Sequence, residues 1–350
     1  MTYKFLISVS IIITLFLSAC RTEKVKTEIE LSGFNKVFLL DSMAASKAIV
    51  KDDIEGFFNH ITPVDMMIQM QSAPAELTRE TVLADYKSFI QKDVVDFKPD
   101  EVEFIVKIIS EAFELCNKAN FKYFPTEIKL IKTHGKHYGD DTYYTRENLI
   151  VIPKMALKKK NHDEFLKVML HEISHIATRL NPSLKEKLYT LIGFKKLDLP
   201  LIINDLLQQR LLTNPDGHEL TWATELTTAV GKNVLAIPLI YSNENALVKE
   251  KKDFFQYLGF NYYEILPSDD QKSMAVQTVG NQQKSTLHTE GLNELYREKF
   301  NTDYIIHPDE IVADNFSILM FSMGNPKSTS KYTEGGQLLI KKMQAVLSEK

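Results

Sequence analysis

The chain has 350 residues and a net charge of −4, and its basic residues form no dense cluster, which argues against nucleic acid as a partner. Its 44% apolar and 25% charged residues are those of a globular protein, with enough length for one large core or two modest ones. A leader must first be set aside.

Met1-Thr2-Tyr3-Lys4 is a short cationic start, Phe5 to Leu17 is an apolar run too short for a comfortable membrane span, and Leu17-Ser18-Ala19-Cys20 closes it. This pattern resembles a bacterial lipoprotein signal with its L-S-A-C lipobox. The resemblance implies removal of residues 1–19 and lipid attachment to Cys20. It also implies a globular part exported into the cell envelope and held at a membrane by that lipid. Residues 20–33, polar after the cysteine, read as a tether. Cys116 is then the only thiol left, so no internal disulfide can form, and its apolar neighbours make it a core residue.

From Phe34 to about Asn120 the pattern reads as a helical N-terminal portion. Phe57, Phe58, Ile61, Met66, Met67, Ile68 and Met70 form an apolar, methionine-rich group that reads as core. Pro99-Asp100-Glu101 opens the clearest helix, with Val102, Ile105, Ile108, Ile109, Ala112, Phe113 and Cys116 on one face. Next, Glu127–Lys132 reads as a strand, 134–141 as a loop, Thr142–Thr145 as a second strand and Leu149–Ile152 as a third. A strand just before the following helix offers an edge to which an extended peptide can add. His134 and His137, flanked by glycine, read as surface residues.

That following helix carries His171-Glu172-Ile173-Ser174-His175, the pattern H-E-x-x-H. Residues four apart lie on one helix face, so two imidazoles can reach one metal ion while Glu172 stands beside its open position. Leu166, Met169, Leu170, Ile173, Ala177 and Leu180 recur at helical spacing, acids open the helix, Arg179 closes it and Pro182 stops it. In the segment 183–306, Leu184–Phe194 and Leu199–Leu212 read as helices and Asn214-Pro215-Asp216-Gly217 as a turn. Glu219–Thr228, Val234–Tyr241, Tyr257–Leu266 and Ser273–Val279 read as strands.

A catalytic zinc needs a third protein ligand. Pro308-Asp309-Glu310 announces a later helix, on which Glu310 and Asp314 lie one turn apart. One carboxylate can bind the metal while the other accepts the outer N–H of a ligand imidazole. His218, Glu219, Glu225, His288 and His307 are competing ligands in the same stretch of chain. The pair of motifs, H-E-x-x-H and a later E-x-x-x-D, resembles the gluzincin class of zinc metallopeptidases. That resemblance implies Zn2+ held by His171, His175 and Glu310, with Glu172 as general base and Asp314 orienting the first histidine. About 135 residues between His175 and Glu310 imply an inserted segment, 183–306, that returns to the site.

The fold class expected is therefore α+β: a zincin-like core over 121–350 with a small sheet, a metal-binding helix and a ligand helix, preceded by helices. The function expected is hydrolysis of peptide bonds in a peptide or protein substrate, with Tyr304, His288 or His307 stabilising the oxyanion. A zinc hydrolase of non-peptide bonds and a non-catalytic lipid-anchored binding protein are the alternatives.

Overall fold

A computed structural model describes residues 28–73, 78–159, 161–228, 230–288 and 292–349. The leader and Cys20 lie outside the described residues. Among those described, no helix is long and apolar enough to cross a membrane.

The fold is α+β, with two mixed sheets. The first contains β1 (Glu28–Glu30), β2 (Lys36–Leu39), β3 (Val94–Val95), β4 (Glu127–Thr133), β5 (Tyr144–Arg146) and β6 (Leu149–Pro153), in the order β1-β2-β4-β6-β5 with β3 on β4. Strands β2, β4 and β6 are parallel, and β5 returns antiparallel to β6 as an edge. Leu149-Ile150-Val151-Ile152 is buried along its whole length because both faces of this parallel layer are covered. The expectation of helices alone before residue 120 is corrected here. Ile29 and Val37 are core residues of strands, so part of the supposed tether and the start of the helical portion belong to the sheet. Three or four residues are too few for a periodicity to show.

Helix Pro99–Lys118 forms as read: Val102, Ile105, Ile108, Ile109, Ala112 and Cys116 are buried, and Glu101 accepts from the Lys98 amide at 2.7 Å and from Lys132 at 2.6 Å. The motif helix, His162–Leu180, is capped by Asn161, whose side chain accepts from the Glu164 amide. It packs against Pro99–Lys118 and, more extensively, against Pro308–Ser322. Side chains from Ile29 through Leu347 share that core.

The second sheet contains β7 (Phe194–Lys196), β8 (Leu201–Ile202), β9 (Trp222–Thr227), β10 (Asn233–Ser242), β11 (Leu258–Pro267) and β12 (Met274–Val276), in the order β7-β9-β10-β11-β12-β8. The four strands read from 219–279 are present. The helix expected over Leu199–Leu212 is not: β8 and a single turn at Asp205–Gln208 replace it, since Leu207 and Leu211 pack on this sheet while Leu206 is exposed. Helix Pro182–Leu191 ends early, and Phe194 opens β7.

The stretch between Gln208 and Trp222 carries the inserted segment back to the motif helix. Its base is pinned where the Leu212 amide donates to the Ile240 carbonyl, Thr62 Oγ1 donates to the Leu211 carbonyl, and the Thr213 amide donates to Asp65 at 2.7 Å.

Candidate metal centre

His171 and His175 sit one turn apart on the buried face of the motif helix, with ring centroids 4.7 Å apart. Helix Pro308–Ser322 crosses that face and presents Glu310. Its Oε2 lies 3.1 Å from His171 Nε2 and 3.6 Å from His175 Nε2. One ligand atom from each of the three residues falls within 4.8 Å of the others. Asp314, a turn along the same helix, accepts from His171 Nδ1 at 3.0 Å and so fixes the tautomer that leaves Nε2 facing Glu310. Thr302 Oγ1 holds the other Asp314 oxygen.

The residues fit a divalent cation. His175 Nε2 and Glu172 Oε2 are buried with no hydrogen-bond partner among the described residues, which is costly for groups of this polarity unless something else satisfies them. Two imidazoles and one carboxylate are the donor set of a catalytic zinc. The two histidines differ in charge. Burial disfavours a charge on His171, yet its bonds to Asp314 and Glu310 outweigh this and hold its pKa well above the ordinary value. Burial, with His171 and Arg179 nearby, keeps His175 neutral, its pKa well below the usual range, as a ligand must be. Burial, then Asp216 and Glu310, raise the Glu172 carboxyl well above the usual carboxylate range.

Two functional neighbours were missed in the sequence because their positions follow from chain stretches far apart. Asn214 donates to Glu310 Oε1 at 2.7 Å and fixes the ligand carboxylate from the side away from the histidines. Asp216 accepts from both the amide and the hydroxyl of Thr145 on β5, at 2.5 and 2.7 Å. Its own carboxyl is pushed up to about 7 by burial and by Glu310. The turn Asn214–Gly217 was legible; its contact with the site was not. Gly217 suits this approach, since a Cβ there would meet Asp309 and His307 at 2.3 and 2.4 Å.

A cavity of about 940 Å³ opens over His171, Glu172 and Glu310. Its mouth carries both signs of charge, Asp141, Glu298 and Asp303 with Lys167, Arg297 and Lys331, and Arg297 pairs with Asp303. Tyr304 lines it and is 44% exposed; Glu310 first, then burial and Asp216, raise its hydroxyl pKa so that it stays a donor. Tyr143, read only as part of a strand, lines it too, its hydroxyl kept protonated by burial and by Glu172.

The other expected oxyanion donors are corrected. His307 is buried as the cap of helix Pro308–Ser322, its Nδ1 accepting from the Asp309 amide, and does not line this cavity. His288 is exposed and also outside it. Among the competing ligands, His218 Nε2 donates to the Glu55 carbonyl away from the cluster, Glu219 faces Lys185 and Glu225 pairs with Lys195. His137, expected at the surface, is buried between Asp93 and Tyr144, and this explains its place without a metal.

No protein-family model matches the chain, and no curated protein or solved structure is significantly similar to it. The site must therefore be read from its own geometry.

Proposed function

We propose that the protein is a zinc-dependent peptidase with a zincin-like core, exported and lipid-anchored through Cys20. The observation that carries this reading is the convergence of His171, His175 and Glu310 beside the buried, unpartnered Oε2 of Glu172. His171, His175 and Glu310 would hold the ion. When bound, zinc acts as a Lewis acid that lowers the pKa of water to about 7 and polarises a carbonyl.

The chain's own residues do the rest. Glu172 takes the proton of the attacking water and delivers it to the leaving amine. Tyr304 and Tyr143 donate hydrogen bonds to the oxygen on which charge develops. Asp314 and Asn214 hold His171 and Glu310 in register. Residues 141–143, just before β5, line the cavity and would offer main-chain partners to an extended substrate, which favours peptides over other amides or esters.

Glu172→Gln tests the reading. The variant should keep its metal while hydrolysis of a peptide mixture falls by about 10²- to 10⁴-fold, the usual worth of a general base. Full activity in a metal-loaded Glu172→Gln protein would overturn it.

A further inference from the structure

The first sheet has two ends, and the cavity lies at one of them. Strands β2, β4 and β6 run the same way; Lys36 is level with Glu127, and Tyr144 is level with Val151 and, through it, with Ile131. Four residues of β4 separate those levels, about 13 Å at about 3.3 Å each. Just beyond the level of Tyr144, Asp141, Thr142 and Tyr143 line the cavity. Beyond Lys36, in the opposite direction, the chain turns through residues 31–35 at the tip of the β1–β2 hairpin.

That tip is braced. The Ser32 hydroxyl donates to Asn35 Oδ1 at 2.7 Å and accepts from the amides of Phe34 and Asn35 at 3.3 and 3.2 Å. Asn35 Nδ2 donates to the carbonyls of Phe124 and Pro125 at 3.4 and 3.1 Å, which fastens the turn to the chain entering β4. Held on this turn, Phe34 is 86% exposed. A lone apolar residue in water is ordinary on a protein surface. The position of this one in the chain sets it apart. Strand β1 is the edge of the sheet and begins at Glu28, eight residues after Cys20. Eight residues reach at most about 28 Å. Glu28 is level with Phe38, only two residues or about 7 Å from the level of Lys36, so the Cys20 sulfur and the Phe34 ring can meet one plane.

We infer that Phe34 inserts into the bilayer that holds the Cys20 lipid, as a second point of attachment that turns the cavity toward water. The inference rests on the lipid-anchor part of the reading above, and its partner is the acyl-chain boundary of a phospholipid layer. Apolar area makes the contact, because the nearest charges, Glu28 and Lys36, pair with each other at 2.7 Å. Two attachments fix an orientation that a single lipid leaves free. With the hairpin tip in the membrane, the opposite end of the sheet and its cavity face away from it. Substrates then arrive from the aqueous compartment and not from within the bilayer.

The test uses the full chain with its lipid, reconstituted in phosphatidylcholine vesicles, and tryptophan as reporter. The single native tryptophan, Trp222, is buried and gives a constant background. In Phe34→Trp the added emission should shift to the blue and be largely lost when the lipid acyl chains are brominated, and about 1 M salt should change neither result. In Phe255→Trp, at a half-exposed position lining the cavity, the added emission should be the same with and without bromine. Protein that floats with the vesicles while its Phe34→Trp emission stays unshifted and unquenched would overturn the inference and leave the anchor standing. Quenching of Phe255→Trp would overturn the orientation. Protein that does not float with the vesicles would overturn the anchor reading, and the inference with it.

Discussion

At the scale of single residues, the centre is held by partners as much as by ligands. Asn214 takes Glu310 Oε1 and would leave Oε2 to serve as the third ligand, and Asp314 takes His171 Nδ1 and leaves Nε2 facing it. Removing such a partner should cost metal affinity without removing a ligand. Asp314→Asn is expected to weaken zinc binding by about 10- to 100-fold, measured by competition with a chromophoric chelator. An unchanged affinity would mean that the contact does not orient the histidine. Tyr304 and Tyr143 both line the cavity, and if either is the oxyanion donor, phenylalanine there should lower kcat by about 10²- to 10³-fold with KM little altered. If neither substitution moves kcat, the donor lies elsewhere.

At the scale of elements, the motif helix does more than carry two histidines. Arg179 was read as a charge suited to a helix C-terminus; it is buried, pairs with Glu55 and ties that helix to β5 and to the stretch holding Asp216. Arg179→Met would leave the largely buried Glu55 carboxylate without its counter-charge, and we expect a loss of about 3–5 kcal/mol in urea unfolding. A loss below 1 kcal/mol would show the hub to be dispensable. His218, in the same stretch, is buried against Glu55 and His60, and burial, then His60, lowers its pKa to about 4. The folded state therefore resists protonation that the unfolded chain accepts below its ordinary value of 6.5. Stability should fall as pH drops from about 6.5 toward 4, by up to about 3 kcal/mol from this group. His218→Gln should flatten that limb relative to the parent protein, and parallel curves would remove His218 as its source.

The same hub shows which features a sequence can disclose. The H-E-x-x-H helix and the Pro308 helix are legible because period, cap and motif lie within one stretch of chain. Asp216 and Asn214 are not, because their partners Thr145 and Glu310 lie 71 and 96 residues away. Leu199–Leu212 has leucines at helical intervals, yet a neighbouring sheet draws it into a short strand and one turn.

At the scale of the whole molecule, the two sheets serve different ends. The first, built partly from β1 and β2 at the start of the described chain, backs the motif helix and packs β5 against it. The second carries the stretch that brings Asn214 to Glu310 and Asp216 to the cavity. A metal held by His171, His175 and Glu310 would tie the motif helix to helix Pro308–Ser322 and make stability depend on it. Zinc at about a thousand times its Kd should add about 4 kcal/mol to the unfolding free energy, and a strong chelator should remove it. A melting temperature indifferent to both would separate the fold from the ion.

The most direct test is the zinc content of the purified protein after dialysis against a weak chelator, beside that of its Glu310→Ala variant. Our account predicts one tightly held zinc in the parent and none in the variant, with both folded by circular dichroism. A folded parent without zinc, or a variant that retains it, would contradict the three-residue centre on which the rest depends.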